Sequence, residues 1–423
     1  MFTSAIIIVF IGGYAAIAFE HPLKLNKAAS ALITGVLCWT IYIVQHHSSD
    51  HVVEELMDHL GEIASILYFL LGAMTIVELI DRNYGFNLIT EKIKTTSKQK
   101  LLFIVTILTF FLSALLDNLT TAIVMTSLCS KLLKSKEDKL WFAGMIVIAA
   151  NSGGAWSPLG DVTTTMLWIG GQITAFNIVK ELILPSMAVC LIPAIIISLR
   201  FRGKTVEAMP ASVSSEKEKR DGRIILFAGV GFLIFVPVFK TLTHLPPFMG
   251  MMLALGLMWV LITLLHSNKR SEIAEKFNVS RALQRIDTPS ILFFFGILLS
   301  VSALESFGLL KYLADALSTH LKNNYLIGSA LGLLSAVVDN VPLVAASQGM
   351  YDLSVYPTDH HFWEFLALTT GTGGSAIIIG SAAGIAVMGI QQMDFMWYLK
   401  KISWLALIGF AAGIGVFLLQ LAF

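Results

Sequence analysis

Long apolar runs alternate with short polar breaks along the whole chain. The runs near 3–19, 28–44, 61–80, 140–172, 178–199, 223–243, 248–266, 290–307, 363–390 and 402–421 match or exceed a helical membrane crossing, which takes roughly 17–25 residues. Two further apolar stretches, 101–130 and 325–349, each carry an acid and an amide in their middle. A transmembrane barrel would show short alternating segments instead. The pattern predicts an all-α polytopic membrane protein. No Lys or Arg precedes residues 3–19, so they read as a retained first span rather than a secretory signal.

Composition agrees: 56% of residues are hydrophobic and 13% charged, with mean hydropathy +0.77. A net charge of +1 gives no sign of nucleic-acid binding. Cys38, Cys129 and Cys190 lie in apolar runs at no metal-ligand spacing and read as core residues.

The basic residues set a topology. Lys24 and Lys27 fall between the first two spans, while 45–60 has neither Lys nor Arg. Basic clusters flank the stretch 101–130 on both sides, at 81–100 and 131–139. Positive residues favour the cytoplasmic side, so this stretch reads as a re-entrant hairpin turning at Asp117-Asn118. Such a turn needs protein or water around its freed backbone groups. With both ends of the chain outside, all but Lys180, Lys240, Lys311 and Lys322 of the 29 Lys and Arg residues become cytoplasmic. The second hairpin, 325–349, then enters from the outside, and the two halves are inverted.

A repeat supports this. Ser113-Ala114-Leu115-Leu116-Asp117-Asn118 returns as Ser335-Ala336-Val337-Val338-Asp339-Asn340. Asn151-Ser152-Gly153-Gly154-Ala155 aligns with Gly371-Thr372-Gly373-Gly374-Ser375, and Gly160 with Gly380. The predicted organisation is a first repeat at 1–200, a cytoplasmic linker at 201–222 and a second repeat at 223–423. Each repeat has a re-entrant helical hairpin and a broken transmembrane helix. Gly-Gly pairs also serve tight helix packing, but Ala155-Trp156-Ser157-Pro158-Leu159-Gly160-Asp161 adds a proline that opens the helix. Carbonyls freed at such breaks can ligate cations.

An aspartate at mid-bilayer costs roughly 2.5–3.5 kcal/mol even on the lenient insertion scale, and here one recurs in register. Hard monovalent cations want oxygen ligands. The hairpins offer Asp117, Asn118, Thr120 and Thr121 on one side, and Ser335, Asp339 and Asn340 on the other. The breaks add Ser152, Ser157, Asp161 and Thr163, then Thr372, Ser375 and Ser381. Asp161 aligns with Ser381, so the core holds three acids with no basic residue near them in sequence. That favours a cation as cargo. Asp117, Asp161 and Asp339 are the expected Na+ ligands and the candidates to carry protons, competing for the same oxygens. Asp161 reads either as a third ligand or as the main proton carrier. The same residues also suit plainer roles: the acids as helix caps, the asparagines as ties between hairpin tips, the hydroxyls as backbone donors. Glu78, Asp81 and Glu305 suit interfacial roles, and Glu62 could line an outer vestibule. The stretch 45–60, with His46, His47, His51 and His59, reads as a solvated loop or surface helix, with pH sensing as the sharper alternative. Segments 86–98 and 308–322 look amphipathic.

The runs 113–121 and 151–164, with Asp339-Asn340-Val341-Pro342-Leu343 and Gly371-Thr372-Gly373-Gly374-Ser375, resemble the NhaD-type sodium/proton antiporters over nearly the whole chain. The resemblance implies the ion transporter superfamily, paired hairpins and broken helices, and a homodimer in the bacterial inner membrane. It also implies electrogenic exchange of cytoplasmic Na+ or Li+ for protons, which supports salt and alkali tolerance. No cofactor is expected beyond the transported ions, and no enzymatic activity. One rival is a Na+-coupled organic-anion (dicarboxylate-like) or arsenite carrier of the same superfamily. It is weakened because dicarboxylate carriers there carry Ser-Asn-Thr where this chain has Asp-Asn. A second rival is an intramembrane aspartyl protease, suggested only by Asp117 and Leu159-Gly160-Asp161.

Overall fold

The computed structural model describes residues 2–18, 20–46, 49–86, 93, 95–206, 216–267, 279–321, 323–337 and 339–422. Among them the regular structure is helical, apart from one isolated bridge between Ser97 and Thr205. Among the described residues, seven helices are long and apolar enough to cross a membrane: Lys27–Gln45, Asp50–Arg82, Ala175–Arg200, Lys219–Thr243, Pro247–His266, Thr288–Ser306 and Ser403–Ala422. Phe2–Ala18 adds a shorter apolar helix. The outer helices turn large apolar side chains outward, with Ile8 69%, Phe227 70% and Leu264 67% exposed. Such surface suits lipid rather than water. The protein is an all-α polytopic membrane protein.

Both Asp-Asn stretches fold as helix–turn–helix. The first has arms Lys98–Ser113 and Asn118–Leu132, and the second has arms Asn324–Leu334 and Asn340–Met350. Arms of 16, 15, 11 and 11 residues rise about 24, 22, 16 and 16 Å at ~1.5 Å per residue. Each falls short of the roughly 30 Å hydrocarbon layer. The expected breaks are also present. Lys136–Gly154 stops and Val162–Ile169 resumes; His361–Gly373 stops, a short turn spans Ile378–Gly380, and Ala382–Gln391 resumes. The leading segments of these two broken helices form the centre of the molecule. Every residue from Leu140 to Gly154 and from Phe362 to Gly373 is buried.

Glycine decides how closely each broken helix meets its hairpin. A Cβ on Gly153 would overlap the Phe110 carbonyl, and one on Gly373 the Gly332 carbonyl. One on Gly160 would strike the Ser113 carbonyl, and one on Gly380 the Ala336 carbonyl. Gly380 meets its hairpin one residue past the match to the Gly160 contact, while the Gly153 and Gly373 contacts recur in matched register. So do the ties beside them: the Ser113 hydroxyl donates to Ala150 O (2.6 Å) and the Ser335 hydroxyl to Thr370 O (3.1 Å). Small residues let backbones approach where no water drives association.

The stretch after residue 48 differs from a free-standing loop or surface helix. Ser49–Arg82 is one helix of 34 residues, about 51 Å long, so its first turns project beyond a bilayer. Val52 is buried, and the Tyr42 hydroxyl donates to Glu55 Oε2 (2.8 Å), which anchors the projection. No Gly or Pro interrupts 49–60, and Glu54-Glu55-Leu56-Met57 are strong helix formers. His47, residues 87–92 and 94 of the first amphipathic segment, Lys322, and 207–215 of the linker lie outside the described residues.

Packing this tight makes a prediction. Gly373→Ala should destabilise the purified protein by about 1–3 kcal/mol through overpacking. Gly12→Ala, where a Cβ meets nothing within 4 Å, should leave it unchanged. Thermal unfolding in detergent reads both, and equal midpoints for the two variants would contradict the packing described.

Candidate functional site

Four helix starts lie at the two hairpin turns and the two breaks, and each is capped by a side chain. Asp117 (φ −61°, ψ 157°) caps the Asn118–Leu132 arm, accepting from the Thr120 N–H (2.8 Å) and the Thr120 hydroxyl (2.6 Å). Asp339 caps Asn340–Met350 and accepts from the Val341 N–H (3.3 Å). Asp161 and Ser381 start the resuming halves of the broken helices with matching backbones, φ −145°, ψ 147° and φ −144°, ψ 148°. Asp161 accepts from the Thr163 N–H (3.5 Å) and Ser381 from the Gly384 N–H (3.1 Å). A helix start leaves N–H groups unpaired and carries the positive end of the helix dipole. Both features steady a carboxylate placed there. A carboxylate also has about four acceptor positions, so capping does not exhaust it.

An amide chain links the elements. Asn118 Nδ2 donates to Asn151 Oδ1 (3.2 Å), and Asn151 Nδ2 donates to the hydroxyls of Ser375 (2.9 Å) and Ser381 (3.0 Å). All four residues are buried. Ser375 is held in its break by the Tyr398 hydroxyl, which donates to its carbonyl (2.8 Å). From the other half, Asn340 Nδ2 donates to Asp161 Oδ2 (3.1 Å). The position matching Asn151 is Gly371, where a Cβ would sit 3.4 Å from Asp161 Oδ2. The halves therefore differ where the acid stands.

Asp117, Asn118 and Asp161 line one cavity of about 50 Å³, with Phe69, Thr165 and Lys27 among the other walls. Asp161 is 2% exposed. Asp339 is not among the residues lining this cavity; its neighbour Asn340, through the bond to Asp161, brings the second hairpin turn beside it. Among the described residues no Lys or Arg forms an ion pair with Asp117, Asp161 or Asp339.

The other candidates divide. Thr120 bonds Asp117, and Ser375 receives Asn151. Thr121 is buried with a hydroxyl that has no hydrogen-bond partner. Ser152 donates to Ile148 O (2.7 Å), Thr372 to Leu368 O (2.6 Å) and Ser335 to Gly332 O (2.7 Å) and Thr370 O. These three hydroxyls tie backbone rather than face the acids. The carbonyls at the break beside Pro158 are also engaged: Ser157 O accepts from the Thr164 hydroxyl (2.7 Å) and Pro158 O from the Thr165 hydroxyl (2.8 Å). Sequence reasoning passed over Asn151 and Lys27. Asn151 stood in the quoted Asn-Ser-Gly-Gly run, one position from the serine taken as ligand.

Residues 14–371 match a family model described as a citrate transporter, CitMHS. Sodium/proton antiporter 1 of Arabidopsis thaliana is 47% identical over 415 residues, covering 98% of this chain and 72% of that protein. The Na+/H+ antiporter NhaD of Vibrio cholerae is 31% identical over 459 residues, covering 98% and 91%. Among solved structures, MtrF of Neisseria gonorrhoeae, described with a class of antimetabolite efflux pumps, aligns with TM-score 0.50 and 10% identity over 87% of this chain and 84% of that one, a likeness of fold alone. The chain belongs to the CitMHS family and, within it, to the NhaD-type antiporters.

Proposed function

We propose that the chain exchanges cytoplasmic Na+ or Li+ for protons across the bacterial inner membrane. The observation that carries this reading is the small cavity shared by Asp117 and Asp161. At about 50 Å³ it has room for a few waters, since one water needs roughly 10–15 Å³ measured this way. A partly hydrated monovalent cation fits, and two acids with no ion-paired base among the described residues would repel a citrate or dicarboxylate. An ionised carboxylate is costly in such a place unless something positive accompanies it. Each acid therefore holds a proton or shares a metal ion, and loading one species releases the other. Two acids answering to one Na+ make the exchange electrogenic. The names of the relatives, sodium/proton antiporters, support the same cargo.

The halves 1–200 and 223–423, joined by 201–222, are read as inverted repeats with re-entrant hairpins. The matched glycine contacts and the short hairpin arms support this. Both termini then face outward, and the family resemblance adds a homodimer. Alternating access arises as one half rocks on the other. Asp339 and Asn340 act from the second half: Asn340 reaches Asp161, so occupancy of the site biases the contact between halves. Asn118, Asn151, Ser375 and Ser381 hold the oxygen frame, and Thr120 and Thr121 complete the first hairpin's side of it.

Three outcomes are expected in proteoliposomes holding a preset ΔpH. Na+ alone should dissipate it, and citrate should add nothing; a requirement for an organic anion would end the reading. Asp117→Asn and Asp161→Asn should each lower Na+-driven proton flux by about 100-fold or more, since each removes a charge the cation needs, whereas Asn340→Ala should retain exchange with a higher apparent KM. Unchanged flux in both acid variants would sink the site. The apparent KM for Na+ should rise as pH falls, by about tenfold per pH unit for each proton displaced and so up to about a hundredfold when both acids take one, because protons occupy the oxygens that Na+ needs. A KM that does not vary with pH would exclude competition.

A further inference from the structure

A second, larger cavity of about 450 Å³ adjoins the first, and Lys27, Met74, Leu119, Ser290 and Ala382 line both. Its lining carries four acids, Glu20, Glu78, Asp81 and Asp287, and two bases, Lys27 and Arg285. Arg285 Nη1 lies 3.8 Å from Glu78 Oε1. A cleft with this excess of negative charge gathers cations. By the charge pattern of the chain, all these residues stand on the cytoplasmic side. Lys27 is the basic residue common to both cavities. It is half-buried, it begins the helix Lys27–His46, and its N–H donates to Glu20 Oε1 (3.3 Å). Its ammonium rests 4.6 Å from the centroid of the Phe293 ring, a cation–π contact that fixes it without an anion. Among the described residues it makes no ion pair.

We infer that Lys27 is a specificity-determining residue of the cation path: its side chain lines both the vestibule and the Asp117–Asp161 cavity, and its positive charge is tethered beside the passage between them, over a ring that lines neither. The inference rests on the exchange reading above. The acids of the vestibule draw Na+ in, and the half-buried Lys27 opposes its last step by like-charge repulsion that mobile ions can still screen. It therefore sets a ceiling on affinity for cytoplasmic Na+, so that the carrier works when Na+ is abundant and is sparing when it is scarce. A residue that merely packs there would change rate or stability. A charge in the path changes affinity, and in the direction opposite to ordinary damage: its removal tightens binding.

The test is the apparent KM for Na+ in proteoliposomes loaded with wild type, Lys27→Met, Lys27→Gln and Lys27→Arg. Both neutral variants should lower KM by roughly three- to tenfold, with the difference shrinking as choline chloride raises ionic strength. Lys27→Arg, which keeps the charge and the ring contact, should keep the wild-type KM. An unchanged or raised KM in whichever neutral variant folds, or an equal fall in Lys27→Arg, overturns the inference. If wild type itself fails to exchange Na+ for protons, the exchange reading fails instead. Wild-type exchange with no shift in the neutral variants rejects Lys27 alone.

Discussion

A carboxylate removed from water needs compensation, and here helix ends supply it. Asp117, Asp161 and Asp339 each stand at the start of a helix whose unpaired N–H groups and dipole favour negative charge. The chain makes those starts by interrupting helices inside apolar stretches. Once interrupted, the backbone must be satisfied locally. The hydroxyls of Ser113, Ser157, Thr164, Thr165 and Ser335 do this by donating to carbonyls at or beside the turns and breaks. The acids are left with acceptor capacity that no described base fills. Structure and chemistry are thus the same fact: what caps the helices is also what would hold a cation.

The halves pack closely along several helices, among them Lys27–His46 on Thr288–Ser306, but at the site itself the contacts between them are polar. Asn151 of the first half grips Ser375 and Ser381 of the second, and Asn340 of the second grips Asp161 of the first. Hydrogen bonds of this kind have a preferred geometry and break without leaving large apolar cavities. They suit surfaces that must separate and rejoin. The glycine contacts within each half have the opposite character. Gly153 on Phe110 and Gly373 on Gly332 leave no room for a methyl group, so each hairpin is packed tightly on its broken helix. Close packing within each half and polar contacts at the site suit the alternating access proposed above.

Much of this was legible in the residues. The Asp-Asn phrases placed both hairpin turns, and Gly-Gly with Ser157-Pro158 placed the first break, because costly or helix-opening residues stand out in an apolar run. Side-chain direction was not legible. Asn151 and Ser152 are neighbours, but a helix turns about 100° between them. Only the packing of Gly153 against Phe110 sends Asn151 inward and leaves Ser152 to bond its own helix. The hydrogen bonds of Thr372 and Ser335 were not legible for the same reason: a buried hydroxyl can donate to whichever carbonyl packing brings near. Lys27 was out of reach because its relation to Asp117 and Asp161 exists only once the second span packs against Thr288–Ser306. The projecting turns from Ser49 were obscured by their charge, which resembles a loop until Val52 and Glu55 find their partners.

The central claim is that one set of buried oxygens holds either a metal ion or protons. The most direct measurement is the number of protons released when Na+ binds the purified protein in detergent, followed by calorimetry in buffers of different ionisation enthalpy. The account predicts between one and about two protons released per Na+ near neutral pH, a coupling that follows from linkage, with release lost in an Asp117→Asn, Asp161→Asn double variant that still folds. Na+ binding with no proton released at any pH, or release undiminished in the double variant, would contradict it.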